Sequence, residues 1–416
     1  MPEFLPFIGT RYDATKVALA DVVSPPYDVI SQEYREALYA RDSHNVIRIE
    51  LNHDADRYDS AGRIFESWKR DGILKRESHP TFYAYAQVFN APDGSQVTRT
   101  GVIGRLKLTP YSEGEVLPHE RTHKAPKVDR FELMEHTRAN ISPIFGLISD
   151  PTFLFDQALE IAAVHPAIAD IDDTLPNGET VRHILWRLDD QLAVERVSRV
   201  VGQGKVIIAD GHHRYETAVE FHEKHPEIAG DGYIMIFISN LQSPGAIILP
   251  THRLVHDAPD FNQYRLIERL KEHFEIVPQA SREVGIAMLN SAEGAITLVE
   301  FPEEPKWILV RDSSKSSAAG DQIPAGRLEQ EILRPLVGLS QQALDEKRNI
   351  LYPHTIKELE EMKGTCSWDA AFLVRPVLAG EVLAVVEQGG FMPQKTTFFY
   401  PKLLTGLVFH EFEAQG

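Results

Sequence analysis

Cysteine is nearly missing from these 416 residues: Cys366 stands alone. One thiol makes no intramolecular disulfide and leaves a thiolate zinc site without its ligands. Long apolar runs are missing too, and none approaches the ~20 residues that a bilayer-spanning helix needs. The N-terminus, MPEFLPFIGTRYDATKV, has no basic stretch followed by an apolar core, so it is not expected to act as a secretory signal. A cytoplasmic location without a membrane partner is expected from these absences. Positive charge is the next scarcity. Lys and Arg number 43 against 61 Asp and Glu, for a formal net charge of −18, and no run of four or more basic residues occurs. Such a surface repels nucleic acid, so no nucleic-acid partner is expected. A small anionic substrate stays compatible, because a local basic pocket can hold it inside an acidic shell. The Rossmann G-x-G-x-x-G, the P-loop, the kinase H-R-D and the G-x-S-x-G elbow are all absent. Any phosphate has to be held by helix N-termini and side chains.

What is present is ordinary in bulk. The apolar fraction is 43% and the charged fraction 25%, as in soluble globular chains. The length exceeds one ordinary core and predicts two to three subdomains. The expected fold class is α/β (α+β), with mixed sheets and flanking helices. The expected segments are 1–110, 111–258 and 259–416. In the first, YREALYARDSHNVIRIEL reads as a helix, a turn at Asp42–Asn45 and a strand from Val46. RYDSAGRIFESWKRDGI has helical spacing and ends near Gly72. TFYAYAQVF and RTGVIGRLKL form an expected hairpin about NAPDGSQ. In the second, a polar, proline-interrupted loop leads to a helix around Val128–Arg138 and a strand around Ile144–Ile148. Residues 151–200 hold two helices and a hairpin-like piece, HILWRLDDQLAVERV. YIMIFISN and GAIILPTHRLV read as buried strands, and RDSSKSSAAGDQIPAG as a loop.

The chemistry concentrates in VIIADGHHRYETAVEFHEKH, from Val206 to His225. An apolar strand meets Asp-Gly-His-His-Arg, and a helix is predicted over Tyr215–Lys224. Gly211 permits a tight turn and close approach of backbone to a ligand. The first turn of the helix offers N–H groups and the positive dipole end to an anion. Arg214 adds a planar fork suited to phosphate oxygens. His212 and His213 can donate hydrogen bonds or carry a proton. Asp210 can orient a histidine, hold magnesium or accept a proton. The bland alternative makes Asp210 an N-cap, the histidines packing residues, and Arg214 the partner of Glu216 or Glu220.

ADGHHRYETA closely resembles the signature of a widespread uncharacterised prokaryotic family. SPPYDVIS (Ser24–Ser31), LPHERT with the following Lys127, Asp129 and Arg130, LPTHRLV (Leu249–Val255) and MPQKTTFFYPKLLTGLV (Met392–Val408) resemble its other blocks, over nearly the whole chain. The D-G-H-H-R element by itself resembles the ParB/sulfiredoxin superfamily, and most closely its free-serine kinases. The resemblance implies a ParB/sulfiredoxin-like core and Mg2+-dependent phosphoryl transfer to free L-serine, with pyrophosphate or a nucleotide as donor. Sulfiredoxin chemistry needs a cysteine where this chain has His212, and ParB adds DNA-binding helices and a basic surface that are not visible here.

The resemblance also implies that a glutamate upstream of D-G-H-H-R accepts the serine hydroxyl proton, and Glu120 is the candidate. Glu120 lies farther from Asp210 than in the small kinases, and an insertion over 151–200 accounts for the gap. His119, Arg121, Thr122 and Tyr27 are expected at the substrate, with Tyr27 on a proline-fixed turn and Ser31 capping the next helix. Arg253, at the end of an apolar run, and Lys395 and Lys402 are expected to bind phosphate with Gly211, His212 and Arg214. Asp210 and His213 complete the expected catalytic set, with Asp210 also the expected magnesium ligand. His119-Glu120-Arg121-Thr122-His123 formally matches the zinc-protease H-E-x-x-H, but Pro118 and Pro126 flank it and the apolar helix stripe is missing. The expected function is therefore a phosphotransferase acting on free L-serine. The rivals are a phosphoserine phosphatase-type hydrolase on the same site, a non-catalytic ParB-like nucleotide-binding regulator, and a zinc hydrolase. The oligomeric state does not follow from the sequence.

Overall fold

The structure, a computed structural model, describes residues 1–120, 125–228, 230, 232–312, 323–393 and 395–412. The chain forms two compact units. The first takes Met1–Pro118, Thr122–Ile247 and Pro401–Gly416, and the second His119–Arg121 and Ile248–Tyr400. The first unit thus spans most of the expected segments 1–110 and 111–258 and also takes the returning C-terminal residues. The fold is mixed α/β, with several sheets and flanking helices.

Among the described residues the first unit holds a nine-stranded sheet. The aromatic alternation of Phe82–Asn90 forms a strand paired antiparallel to Gln96–Lys107, as the hairpin reading expects. It is buried along almost its whole length, and Thr180–Leu188 pairs with its other edge. Gly101 sits in this hairpin because a Cβ there would lie 2.3 Å from the Ile238 carbonyl oxygen. The Gln96–Lys107 strand thus lies against Tyr233–Asn240, which pairs in parallel with Ile144–Ile148. Ile144–Ile148 pairs antiparallel with Val206–Asp210, and the latter runs parallel to Val116–Pro118 at the edge. Phe4, Val102, Ile144, Phe155, Val206, Phe221 and Ile236 belong to one continuous core against the helices.

Two local readings are corrected. Val46 opens no strand: Ile47–Glu50 is a short helix. Asn45 causes this, because its side-chain oxygen accepts from Ile47 N while its amide donates to the Asp21 and Val23 carbonyls. The hairpin near residue 180 is Ala169–Thr174 with Thr180–Leu188. The rest of HILWRLDDQLAVERV starts the Gln191–Gln203 helix, which Asp190 caps through Ala193 N.

The second unit carries an antiparallel sheet in the order Glu275–Pro278, Trp307–Arg311, Ala295–Glu300, Trp368–Leu373, Arg253–His256, Ile350–Leu351. Both faces are covered, and the strand period of two sorts neighbours between them. Val255, Val299, Ile308 and Phe372 join one core cluster, while Leu254, Leu298, Leu309 and Leu373 join the other. The expected loop from Arg311 lies mostly outside the described residues, over 313–322. Among the described residues no helix is long and apolar enough to cross a membrane.

Phe221 packs against Phe131 and Phe412 in the first core. Phe221→Ala should cost about 3–5 kcal/mol of unfolding free energy, read by chemical denaturation.

Candidate active site

The Val206–Asp210 strand ends irregularly. Its register against Ile144–Ile148 shifts between Ile208 and Asp210, and a bulge of this kind re-aims the side chain it carries. Gly211 follows at φ +92° and the helix begins at once with His212. The helix thus starts three residues earlier than predicted, so His212, His213 and Arg214 all lie in its first turn. Only glycine suits this corner: a Cβ would sit 2.6 Å from Ile144 Cγ2, in a backbone conformation that L residues rarely adopt. The N-cap therefore brings no side chain to the first-turn N–H groups.

Asp210 is the hub of this corner. Its Oδ1 accepts from Lys402 Nζ at 2.7 Å and its Oδ2 from Arg214 Nη2 at 2.8 Å. Burial alone would raise the pKa of this carboxyl. The charges of Lys402 and Arg214, the hydrogen bond from Lys402 and the nearby His212 outweigh burial and hold it well below the ordinary carboxylate range. Arg214 is buried and donates through Nη1 to the Pro143 carbonyl at 2.8 Å and to Ser142 Oγ at 3.2 Å. Its carboxylate partner is thus Asp210. Glu216 pairs with Lys127, and Glu220 with Lys224, so neither takes the role the bland reading gave it. That reading also fails for Asp210, because Gly211 occupies the N-cap.

Lys402 reaches Asp210 from the returning C-terminal segment, which is stitched to the first unit at Ser24 and Thr10 by Thr405 and Phe409. The Lys402 carbonyl accepts from Gln87 Nε2 at 2.9 Å, and the Pro401 carbonyl accepts from Arg99. Arg99 is fully buried beside the rings of Phe145 and Phe237. Burial pulls its pKa down to about 10, with Tyr85 and Asp210 acting in the opposite direction. Tyr27 lies in a short turn, Tyr27–Val29, and Ser31 caps the next helix through Tyr34 N. The Arg130 guanidinium lies 4.1 Å and that of Arg214 6.0 Å from the Tyr27 ring centroid. Burial pushes the Tyr27 phenol up to about 12, against the charge of Arg214, so it stays protonated at neutral pH. His212 is buried and His213 half-buried.

His119, Glu120, Arg253 and Lys395 belong to the second unit. His119 Nε2 is 2.7 Å from Thr397 Oγ1, which donates to Glu120 Oε1 at 3.2 Å. Glu120 forms a parallel β-bridge with Met392. An extended backbone at Glu120 removes the helix that H-E-x-x-H needs, which overturns the zinc-protease match. Arg121, Thr122 and His123 lie outside the described residues. Arg253 is buried, donates to the Thr251 and Lys395 carbonyls, and lies 5.4 Å from the Tyr352 ring centroid. It binds its own backbone, neither at a rim nor in an open fork. Lys395 is exposed, at φ 58°.

The magnesium role of Asp210 does not fit this geometry, because both carboxylate oxygens already face cations. Among the described residues no group of three or more His, Cys, Asp and Glu is placed to hold a metal. Sequence reasoning missed Ser142, Glu50 and Arg99 around the corner. Arg99 shares its strand with Gln96, Thr98, Thr100, Arg105 and Lys107, so its charge gave no local signal, and the Pro401 carbonyl it meets is remote in sequence.

The chain belongs to the family described as DUF1015, a protein of unknown function, whose pattern matches residues 4–323. No curated protein matches it. Among solved structures, a conserved hypothetical protein from Pyrococcus furiosus is similar over 71% of this chain and 93% of its own, at 14% identity and a TM-score of 0.37. A free serine kinase in complex with AMP is similar over 71% and 89%, at 14% identity and a TM-score of 0.37. SbnI from Staphylococcus aureus, truncated at its C-terminus, is similar over 74% and 83%, at 12% identity and a TM-score of 0.32.

Asp210→Asn should lower stability at neutral pH by about 3 kcal/mol, since it leaves Lys402 and Arg214 without their counter-charge. The depressed folded pKa fixes the sign. The contribution is present above the ordinary aspartate pKa of ~4 and is lost as pH falls toward the folded value. Denaturation of both proteins as a function of pH should show the gap constant near neutrality and narrowing in acid.

Proposed function

We propose that this family member is a phosphotransferase that moves a phosphoryl group from pyrophosphate or a nucleotide to the hydroxyl of free L-serine. The observation that carries this reading is the Lys402–Asp210–Arg214 ion cluster at the uncapped, glycine-opened start of the His212–Lys224 helix. First-turn N–H groups and the positive dipole end favour a phosphate. The carboxylate that would repel it is already neutralised by two cations. The D-G-H-H-R element of the free-serine kinases, which this segment resembles, binds phosphate at a helix start.

In the reaction the serine hydroxyl oxygen forms a bond to the terminal phosphorus of the donor. The bond from phosphorus to the bridging oxygen breaks, and its electron pair leaves with that oxygen, on phosphate when pyrophosphate is the donor and on the shortened nucleotide otherwise. The hydroxyl proton goes to a carboxylate, assigned to Glu120 on the resemblance. Arg214, Lys402 and the N–H groups hold the equatorial oxygens, whose charge the transition state spreads, so positioning and neutralisation carry the catalysis. Magnesium, which the resemblance implies, would enter with the donor and offset part of its charge; no residue of this corner is assigned to hold it. Tyr27, protonated, remains a hydrogen-bond donor at the same corner.

The test incubates the whole protein with L-serine and magnesium and with pyrophosphate, ADP or ATP in turn, and reads phosphoserine by phosphorus NMR. Phosphoserine should form with one donor class. Arg214→Ala should lower kcat by about 10²–10³, the scale for removing a preorganised charge-stabilising donor, and Glu120→Gln should fall at least as far. Failure with every donor rejects the proposal. Phosphoserine consumed without a donor would indicate the hydrolase, and nucleotide binding without turnover the regulator.

A further inference from the structure

Behind Arg214 lies a second carboxylate that no expected role uses. Glu50 closes the Ile47–Glu50 helix and is 1% exposed. Its Oε1 lies 3.1 Å from Arg130 Nη1 and accepts from Ser142 Oγ at 3.1 Å. Ser142 Oγ accepts in turn from Arg214 Nη1, so one hydroxyl links the carboxylate to the site arginine. A second link runs through Arg130, whose guanidinium lies against the Tyr27 ring, with Arg214 next to the same ring. Arg130 is itself fixed, by Asp129 at 2.8 Å and by the Glu50 carbonyl at 3.1 Å.

Packing alone does not fix the Arg214 head. A small cavity of about 40 Å³ opens beside it, lined by Glu50, Arg130, Asn140, Ser142 and Arg214 among apolar residues. Glu50 Oε2 and Arg214 Nε have no hydrogen-bond partner among the described residues. With free space at its side, the guanidinium is held by its polar contacts and by the charges around it. Arg130 and Arg214 both carry positive charge near one aromatic ring, and Glu50 is the buried counter-charge that bonds one of them and reaches the other through Ser142.

We propose that Glu50 is a positioning residue for Arg214, acting through Ser142 and through Arg130 and Tyr27 to aim the guanidinium of the phosphate corner. The proposal rests on the reading of that corner as a phosphate site. Two roles for Glu50 predict opposite signs. If it acted only through its field, removing a negative charge near an anion site would tighten anion binding. If it aims Arg214, removing the charge lets the guanidinium turn toward the cavity and weakens both binding and turnover.

The experiment measures pyrophosphate and ADP affinity by calorimetry, and kcat and serine KM by phosphoserine formation, for the whole protein and two variants. Glu50→Gln keeps the size and an acceptor oxygen and removes the charge. It should weaken pyrophosphate binding about tenfold and lower kcat by at least as much, as a displaced clamp does, with serine KM unchanged. Ser142→Ala removes only the hydroxyl link. It should weaken binding about fivefold, the scale of one hydrogen bond, and Ser142→Thr should restore it, because the cavity accepts the extra methyl. If Glu50→Gln does not fold, the Ser142 pair decides alone. Wild-type binding with equal or tighter affinity in the folded variants overturns the positioning role and leaves the phosphate site standing. A wild-type protein that binds neither pyrophosphate nor ADP overturns both.

Discussion

The carboxylate of Asp210, shared between Lys402 and Arg214, is the interaction on which the first unit's architecture turns. A charge of this kind cannot be left half-paired away from water, because the unmatched partners would cost several kcal/mol. The three residues come from a strand end, a helix start and a segment nearly two hundred positions downstream. Satisfying them requires the strand to bulge at Asp210, glycine to turn the chain at 211, and the C-terminal segment to return. The return is supported along its length. Arg99 and Gln87 grip the carbonyls of Pro401 and Lys402, and Ser24 and Thr10 pair with the residues that follow. The ion cluster is the point where sheet, helix and C-terminal segment all have to agree.

The same pairing bears on the proposed chemistry. Cations that wait for a phosphate in water lose much of their effect to reorganisation, whereas cations already oriented by a buried partner do not. Asp210 holds Lys402 and Arg214 in place before any ligand arrives. In the proposed reaction such preset cations lower the barrier only so far as the phosphoryl oxygens of the transition state gain more from them than the resting donor does. Glu50 extends this logic one layer outward, since it meets Arg214 only through a hydroxyl and through Arg130.

Much of this was legible in the sequence where the signal was local. Alternation in TFYAYAQVF, the apolar run before Asp210 and the turn NAPDGSQ each name a local structure, and those strands formed. The D-G-H-H-R segment named a strand-to-helix corner for a reason contained in Gly211. Four things escaped because their causes are remote or atomic. The early helix start depends on a left-handed glycine that feeds the chain into the first turn. The helix at Ile47 depends on the Asn45 side chain. Lys395 and Lys402 look equivalent seven residues apart, yet the boundary of the compact units falls between them, and only Lys402 meets Asp210. Glu50 carried no signal, because nothing in YREALYARDSHNVIRIEL states that its last glutamate is buried against Ser142 and Arg130.

The block around Glu120 shows why a spacing has no chemistry until its backbone is known. H-E-x-x-H means zinc only if four residues make one helical turn and bring both imidazoles to the same face. Here His119 and Glu120 join the second unit next to Met392, on a bridge where neighbours point to opposite sides. Their side chains still meet, because Thr397 stands between them and bonds to both. With Thr397 donating to the carboxylate, the fitting tautomer of His119 carries its proton on Nε2. Glu120 is thereby held as a hydrogen-bonded acceptor with a hydroxyl at its oxygen. His119 and Glu120 therefore owe their shared contact to Thr397, a partner that the fold supplies, and the H-E-x-x-H spacing along the chain is incidental.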